Sequence, residues 1–478
     1  MAIKTPEEYL ESIRDDRVIY FKGERVKNVT THPGMRRLLN VCLADYALAL
    51  NPQFRHLLVA ENKEGEPVHF VFLPQRSIED LVRRRECIQL IARICHGSPG
   101  GAKFTGVDGL NGLAVVSSRM DRTLGTNYSE RVEAYRKYLQ KTDAAVALAM
   151  TDVKGDRSLH PSKQQLHQDY YLRIVEKRGD GIVVKGAKVH ISNAPCANEI
   201  VVLPCRAMAE EDQEYAVSFG ISPNTRGIIQ IPNDSTGAHS LLVFDDVFIP
   251  MERVFLAGEW EFAGELVYMF GNYHRLSADA YKYQQLEIMV GLAALLAEYN
   301  GLERYSHVRN KLAWLVMYAE AVDALGKAAA QNGVIDPESG FAYPNITYSN
   351  VAKFFFADNY YQAEKYLQDI AGGIVSTMPS FEDFANPETH HLIEKYLGGK
   401  AGIPTEDRLR AINLVRDLAS SDHGNTTIHA EGSLAAQQLT LWNTADWDRF
   451  KAAAKRVAGI KTDHPDFAQL PAFPVVQL

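Results

Sequence analysis

The sequence predicts an α+β protein in which a helical N-terminal segment, a small β-domain and a C-terminal helical bundle follow one another. Apolar residues recur every three or four positions up to about residue 145, then alternate in short runs, and return to the helical period from about residue 268. No strand pattern alternates with a long helix, and no Gly-x-Gly-x-x-Gly motif is present, so a Rossmann sheet is disfavoured. We expect domains at 1–145, 146–267 and 268–478.

Composition indicates a soluble globular protein that acts on small molecules. The 478 residues are 46% hydrophobic and 23% charged, with a formal net charge of -8, so no basic excess favours nucleic acid. The longest apolar run, 288–297, is about half the length that a membrane span needs. Five cysteines without a Cys-x-x-Cys pair fit a reducing cytoplasm and predict no metal site.

The N-terminal segment begins with a helix start signal. Thr5 is the expected N-cap, Pro6 suits the first helical position, and Glu8 closes a capping box. Glycines then cluster at 97–101 and 105–109. They indicate either a linker or backbone held close to a partner, and the pattern leaves both open.

The β-domain is expected to be antiparallel and to present a cofactor site at its edge. Arg178-Gly179-Asp180-Gly181 is a hairpin signal between two β-runs, 171–177 and 181–188. The polar segment 154–161 precedes this hairpin and forms the expected site loop.

Four helices are predicted in the C-terminal domain. The first ends at Asn300-Gly301, and the fourth begins at Pro404-Thr405. The apolar stripes of the second and third are Val308, Leu312, Leu315 and Val322, and Val351, Phe354, Phe355 and Tyr361. His423 and His429 bracket a polar segment that we expect to be a loop at the pocket.

Motifs spread over the whole chain resemble those of one flavoprotein family. They are Tyr9-Leu10-Glu11-Ser12, Thr31-His32-Pro33, Gly125-Thr126-Asn127-Tyr128, the stretch 149–199, Phe244-Asp245-Asp246-Val247-Phe248-Ile249-Pro250, Asp369-Ile370-Ala371-Gly372-Gly373 and Thr377-Met378-Pro379-Ser380. In this order they resemble the 4-hydroxyphenylacetate 3-monooxygenase family, which also contains 4-hydroxybutyryl-CoA dehydratase. The resemblance implies an acyl-CoA dehydrogenase-like fold, a homotetramer, and FAD bound between the β-domain and the bundle.

The resemblance also implies which residues hold the flavin. The segment that contains Met150, Thr151 and Arg157 matches the family's flavin-binding segment, His160 lies in the same loop, and Ser192 keeps a hydroxyl at a matched position. Such groups supply the hydrogen bonds that a flavin ring needs. Gly372 and Gly373 are expected to allow close approach of a pyrophosphate or a neighbouring subunit.

Residues that the dehydratase branch needs for its [4Fe-4S] cluster are missing. Its three cysteine positions are occupied by Gly100, Phe104 and Tyr281, and only His274 remains of the ligand set. The carboxylates expected to do acid-base work in that branch fall on His239 and Thr426, although Lys282 is retained. The sequence therefore predicts that dehydration of a hydroxyacyl-CoA is lost.

The substrate pocket of the phenol hydroxylases is altered as well. Their usual Arg, Tyr and His positions correspond to Thr105, Gly109 and Leu148 here, which predicts a roomier and more apolar pocket. We expect Phe104, Thr105, Gly109 and His239 to line it.

The predicted function is a two-component FADH2-dependent monooxygenase that hydroxylates a phenolic or other aromatic compound with O2 through a C4a-hydroperoxyflavin. An NAD(P)H:flavin reductase would supply the reduced FAD, because no nicotinamide-binding motif is visible. The candidate catalytic residues are His274, Arg275, His160 and Tyr281. The alternatives are a cluster-free flavin-dependent isomerase or dehydratase-like enzyme on an acyl-CoA or related acid, and a tetramer without catalysis.

Overall fold

The computed structural model describes residues 3–98, 101–419 and 423–468. The helices are α1 Pro6–Ser12, α2 Arg36–Leu50, α3 Arg55–Leu58, α4 Ile78–Ile94, α5 Phe104–Leu124, α6 Tyr128–Thr142, α7 Ala263–Tyr299, α8 Ser306–Gln331, α9 Ile346–Ala371, α10 Ile374–Thr377, α11 Phe381–Ala385, α12 Pro387–Tyr396, α13 Thr405–Ala419, α14 His423–His429, α15 Leu434–Thr444, α16 Trp447–Val457 and α17 Pro465–Ala468. The predicted capping box of Thr5 and Glu8 starts α1.

The strands lie mainly between α6 and α7. They are β1 Val18–Phe21, β2 Glu24–Arg25, β3 Val59–Glu61, β4 Pro67–His69, β5 Val146–Ala149, β6 Arg173–Lys177, β7 Gly181–Ser192, β8 Glu199–Val202, β9 Val217–Ile221, β10 Ile228–Pro232, β11 His239–Pro250, β12 Val254–Ala257, β13 Val334–Ile335 and β14 Ala342–Tyr343. The predicted hairpin joins β6 to β7.

Two facing sheets build the β-domain. The order is β2-β1-β10-β11-β7-β6 in the larger sheet and β12-β9-β8-β5 in the smaller one, and residues of both meet in one apolar core. The expectation of purely antiparallel pairing is wrong at two places, because β1 pairs in parallel with β10 and β5 with β8. Both exceptions are strands whose partner lies far along the chain, so alternation within a run could not reveal their direction.

Helix α7, 37 residues long, connects the two helical regions. Its first half packs with α4 and α5 in one apolar core, and its second half packs with α8 and α9 in another. It ends before Asn300 and Gly301, as predicted, but it begins at Ala263, ahead of the predicted boundary at 268.

Two C-terminal predictions are wrong in detail. The buried face of α9 carries Phe356, Tyr360 and Leu367, whereas the predicted Tyr361 is exposed. Tyrosine and phenylalanine occur on both faces of this helix, so the aromatic pattern alone did not fix the face. The segment between His423 and His429 is the short helix α14 instead of a loop.

Glycines of α5 allow this helix to pack closely against its neighbours. A Cβ atom on Gly106 would lie 2.6 Å from the carbonyl oxygen of Val146 in β5, and one on Gly112 would lie 3.0 Å from the backbone nitrogen of Phe270 in α7. Close approach is therefore the reason for glycine at 105–109, which lies inside a helix and is not a linker. None of the helices in the described ranges is long and apolar enough to cross a membrane.

Candidate active site between α5, α7 and the loop after α14

A buried aspartate on α5 orients His274 on α7. Asp108 is fully buried, and its Oδ2 lies 3.0 Å from His274 Nδ1. Its Oδ1 accepts hydrogen bonds from Arg84 and, at 2.9 Å, from Ser277 Oγ. The His274 side chain stays 18% exposed and stacks on Phe270. Since Nδ1 faces a carboxylate, Nε2 is the nitrogen available for chemistry.

A second group of polar side chains surrounds Glu431, in the loop between α14 and α15. The carboxylate of Glu431 is 4% exposed; it accepts a hydrogen bond from the Tyr281 hydroxyl and lies 3.0 Å from Lys282 Nζ. Burial opposes ionisation of Glu431, but Lys282, His274, Lys353 and the Tyr281 hydrogen bond together lower its pKa. Burial and the neighbouring Glu431 raise the pKa of Tyr281 well above its usual range. The pair is thus a carboxylate and a neutral phenol near pH 7.

Hydrogen bonds connect this group to the Gly-rich segment before α5. Lys282 Nζ donates to the carbonyl of Thr427 at 2.7 Å, and Thr427 Oγ1 lies 2.7 Å from Gln285 Oε1. Gln285 Nε2 in turn donates to the carbonyl of Gly97 at 2.9 Å. The backbone of Gly97 is therefore held against α7, and the chain of hydrogen bonds continues to α14.

Two further basic side chains, Arg275 and Lys353, lie near Glu431. Arg275 is buried beside Glu431 and Asp279, and burial lowers its pKa. Lys353 of α9 donates to the carbonyl of Ile428, and burial together with Lys282 lowers the pKa of Lys353 to about 7. Such concentrations of perturbed titratable groups are typical of functional sites.

The predicted flavin segment is fixed by a buried lysine. Lys188 Nζ donates to Met150 O at 2.9 Å, to Asp152 Oδ2 at 2.8 Å and to Leu203 O at 2.9 Å, so all three of its hydrogens are used. The backbone of Thr151 is bonded to Val189 of β7 at 2.8 Å. Met150 and Thr151 thus lie at the end of β5 on a rigid support, with the Thr151 side chain half-buried.

Ser192 and His239 face each other across two strands. They are direct partners in the register of β7 and β11, and Ser192 Oγ lies 2.9 Å from His239 Nδ1. A predicted flavin residue and a predicted pocket residue are therefore brought together at one sheet edge, both half-buried.

The remaining predicted residues lie elsewhere. His160 is 47% exposed and contacts Asp212 at 3.0 Å, and Arg157 is exposed in the same loop. Gly372 and Gly373 follow α9 on an open surface, where an added Cβ would meet no atom within 4 Å. Within one chain, neither pair contacts the His274 group.

The predicted pocket residues on α5 differ in accessibility. Phe104 is buried beneath Arg84 and edge-on to His69, and Thr105 is half-buried. Gly109 is buried against β5, since a Cβ atom there would lie 2.3 Å from Leu148 Cδ1. Gly100 lies outside the described residues. No group of His, Cys, Asp or Glu in the described ranges is arranged to hold a metal ion.

Two sequence models of one family cover nearly the whole chain. The model described as 4-hydroxyphenylacetate 3-hydroxylase N terminal matches residues 5–256, and the C-terminal model matches residues 263–459. The chain belongs to the 4-hydroxyphenylacetate 3-hydroxylase family.

Members of this family with different activities are similar to the chain. The 4-hydroxybutyryl-CoA dehydratase/vinylacetyl-CoA-Delta-isomerase of Clostridium aminobutyricum is 32% identical, over 96% of this chain and 100% of that protein. The 4-hydroxyphenylacetate 3-monooxygenase oxygenase component of Thermus thermophilus is 28% identical, over 88% of this chain and 89% of that protein.

Solved structures of a dehydratase and of an oxygenase component are both similar to the chain. An archaeal 4-hydroxybutyryl-CoA dehydratase from N. maritimus matches with a TM-score of 0.90 and 30% identity, covering 96% of each chain. The oxygenase component of 4-hydroxyphenylacetate 3-monooxygenase complexed with FAD matches with a TM-score of 0.87 and 26% identity, over 95% of this chain and 98% of that one. The predicted family and the acyl-CoA dehydrogenase-like fold are confirmed, and its named relatives are enzymes.

Sequence reasoning missed several residues of this site. Asp108, Glu431 and Lys353 were not predicted, although each leaves a signal. Asp108 is a lone charge among the apolar and glycine residues that open α5, and Lys353 is a lone charge directly before the apolar run Phe354-Phe355-Phe356 of α9. Isolated charges in apolar helices are seldom buried without a partner or a role.

Proposed function

We propose that this protein is a two-component FADH2-dependent monooxygenase that hydroxylates a phenolic or other aromatic compound. One observation carries the choice between the two branches of the family. At two of the positions that match cluster cysteines, Phe104 has no donor atom, and the hydroxyl of Tyr281 is bonded to Glu431. Since Cys₄-type or mixed ligation needs thiolates, this site favours the oxygenase branch.

The residues of the sheet edge fit a flavin. Thr151 and Ser192 are half-buried hydroxyls, Arg157 is an exposed cation in the adjoining loop, and the Met150 backbone is held rigid by Lys188. These hydrogen-bonding groups suit the polar edge of an isoalloxazine and a nearby phosphate, and Met150 offers an apolar contact. Bound in reduced form, FAD would supply the activation of O2.

His274 is the residue that we assign to proton transfer on the oxygen side of the reaction. Asp108 fixes Nδ1, so Nε2 donates or accepts the proton, while Arg84 and Ser277 hold Asp108 in place. Phe270 stacks on the imidazole and keeps water from one of its faces. Arg275 adds positive charge near Glu431 and thereby favours electron-rich substrates. His160, bonded to Asp212, is assigned to the flavin loop.

Two partners belong to this proposal. The first is an NAD(P)H:flavin reductase, in agreement with relatives named as oxygenase components. The second is the chain itself, as a homotetramer. Large apolar side chains remain exposed on α8 and α9, among them Met317 and Tyr361, which fits burial between subunits. Light scattering of the purified protein measures this directly.

Turnover with a reductase tests the function. The protein, FAD, NADH and a flavin reductase are incubated in air with 4-hydroxyphenylacetate or 4-nitrophenol, and products are identified by mass spectrometry. We expect a hydroxylated product that requires O2 and that falls by about 100-fold or more in His274→Ala. A His307→Ala variant on the surface of α8 serves as the control. Wild-type protein that binds FAD and forms no such product from a panel of phenols would contradict the proposal.

A second candidate is a cluster-free isomerase acting on an acyl-CoA or related acid. It is favoured by the buried Lys282 and Glu431 pair, which could move a proton between two carbons, and by the 32% identity to a dehydratase/isomerase over the whole length of that protein. Anaerobic incubation with vinylacetyl-CoA in D2O separates the candidates. Double-bond migration with deuterium uptake supports the isomerase, and an unchanged substrate supports the oxygenase.

A further inference from the structure

The hydroxyl of Tyr281 has a fixed direction. Glu431 is an acceptor when ionised, and its other oxygen lies 3.0 Å from the ammonium of Lys282, so the hydrogen between Tyr281 and Glu431 belongs to the phenol. The lowered pKa of Glu431 and the raised pKa of Tyr281 agree with this direction. The oxygen of Tyr281 therefore keeps its lone pairs for another partner.

Tyr281 and His274 lie on the same helix, α7. The two residues are seven positions apart on α7, which places their side chains two turns apart on nearly the same helix face. Asp108 lies 3.0 Å from His274, and its charge helps to raise the pKa of Tyr281. The charge of His274 in turn helps to lower the pKa of Glu431. Seven residues rise about 10 Å along a helix, so a substituted aromatic compound lying along this face can contact both side chains.

Glu431 adopts a left-handed backbone conformation, which residues other than glycine seldom adopt. Its φ is 58°, and the next residue, Gly432, has a φ of 93°. A non-glycine residue in the left-handed region costs about 1 kcal/mol or more and is enriched at functional sites. In this conformation the carboxylate of Glu431 contacts both Tyr281 and Lys282.

We propose that Tyr281 is the hydrogen-bond acceptor for the hydroxyl group of a phenolic substrate, and that Glu431 is the positioning residue that fixes this polarity. The inference rests on the proposed oxygenase function and specifies which residue binds the hydroxyl group of the substrate. By resemblance, the polar side chains of other phenol hydroxylases are replaced at Thr105, Gly109 and Leu148. Tyr281 supplies a polar contact from α7 in their place.

A hydrogen-bond acceptor at Tyr281 favours the protonated form of a bound phenol. A neutral phenol can donate its hydrogen to Tyr281, whereas a phenolate has none to donate, and a methyl ether has none either. The site therefore selects the protonated phenol and discriminates against the ether by roughly fivefold, the contribution of one hydrogen bond.

Replacing Glu431 by Gln reverses the polarity. Lys282 has only donors, so the amide oxygen of Gln at position 431 must turn toward Lys282, and the amide nitrogen then faces Tyr281. This nitrogen donates to the phenol oxygen, and the Tyr281 hydrogen becomes available to a bound ligand. Glu431→Gln is therefore expected to prefer a phenolate.

The test measures binding of 4-nitrophenol and 4-nitroanisole to the FAD-loaded oxidised protein, using difference spectra. Wild type should bind 4-nitrophenol without its yellow phenolate band, about fivefold more tightly than the ether. Glu431→Gln should raise the phenolate band, and Tyr281→Phe should abolish the preference over the ether. Glu364→Gln, which changes a buried glutamate on a different element, α9, is the matched control and should behave as wild type.

Several results would overturn the assignment. The first is that wild type binds 4-nitrophenol as the phenolate or does not bind it. The second is that Glu431→Gln and Glu364→Gln give the same difference spectra. If Glu431→Gln does not fold, Tyr281→Phe decides, since an unchanged preference over 4-nitroanisole contradicts the role of Tyr281. Binding is read without turnover, so failure of the assignment is distinct from failure of oxygenation, which the product assay reports.

Discussion

Substitution of Asp108 by Asn tests how α5 prepares His274 for catalysis. An Asn at this position keeps an oxygen for Arg84 and Ser277 but offers an amide nitrogen to His274 Nδ1. Because an amide nitrogen only donates, the imidazole must present a lone pair at Nδ1 and carry its proton at Nε2. The tautomer that wild type presents to the substrate is thereby inverted, as for an aspartate that orients a catalytic histidine elsewhere.

Two magnitudes follow from this geometry. Acid-base catalysis by a positioned side chain contributes about 10²- to 10⁴-fold, so product formation by Asp108→Asn should fall at least 100-fold. The substitution also removes the negative charge from the fully buried ion pair of Arg84 and Asp108 and leaves Arg84 without a counter-ion. The free energy of unfolding should therefore fall by about 3 kcal/mol.

A neighbouring ion pair provides the control. Arg85, next to Arg84 on α4, is paired with Asp323 of α8, and both side chains are nearly buried. Asp323→Asn should lower the free energy of unfolding by about 2 kcal/mol while leaving turnover near that of wild type. Unfolding in urea and product formation are measured for both variants, and the pH dependence of turnover is recorded.

The role assigned to Asp108 would be refuted by one pattern of results. If Asp108→Asn and Asp323→Asn lose stability and activity to the same extent, and the pH profile of turnover is unchanged, Asp108 is only a structural partner of Arg84.

Other predictions follow from the same structure. Gly106→Ala should lower the free energy of unfolding by about 2 kcal/mol or more through its contact with β5, whereas Gly291→Ala, which meets no atom, should raise it by up to about 1 kcal/mol; urea unfolding measures both, and the reverse order would contradict the close packing of α5. Burial raises the pKa of Glu364 from 4.5 to about 7, so stability should fall as the pH rises from 4.5 to 7, and Glu364→Gln should remove this fall; a pH-dependent decline that persists in the variant would disprove its origin. Iron analysis after reconstitution with iron and sulfide should find less than one equivalent per chain, and a bound cluster would contradict the assignment of Phe104 and Tyr281.

The order of elements could be predicted from sequence because each element carries its own period or cap. Thr5 and Glu8 start α1, and the hairpin at 178–181 is marked by its turn residues. The parallel pairing of β5 with β8 could not be predicted, because it depends on contacts between segments far apart in the chain. For the glycines at 105–109 the sequence left a linker and close approach open, and only the folded chain shows that Gly106 and Gly109 let α5 approach β5.

The candidate site, like the fold, could be predicted only in part from the sequence. Family resemblance predicted His274 and Tyr281 as candidate catalytic residues on one helix, and both lie on α7. Their partners Asp108 and Glu431 come from α5 and from the loop after α14, and only the folded chain brings them to α7. Pairing of this kind depends on packing between distant segments, which local periodicity does not encode.

The most direct test of the oxygenase function is the origin of the oxygen atom in the product. The protein is supplied with FAD, a flavin reductase, NADH and a phenol under ¹⁸O₂, and the product is examined by mass spectrometry. We expect one ¹⁸O atom in each hydroxylated product and no label when ¹⁸O is supplied as water. Product that forms without O2, or that takes its oxygen from water, would contradict the oxygenase function.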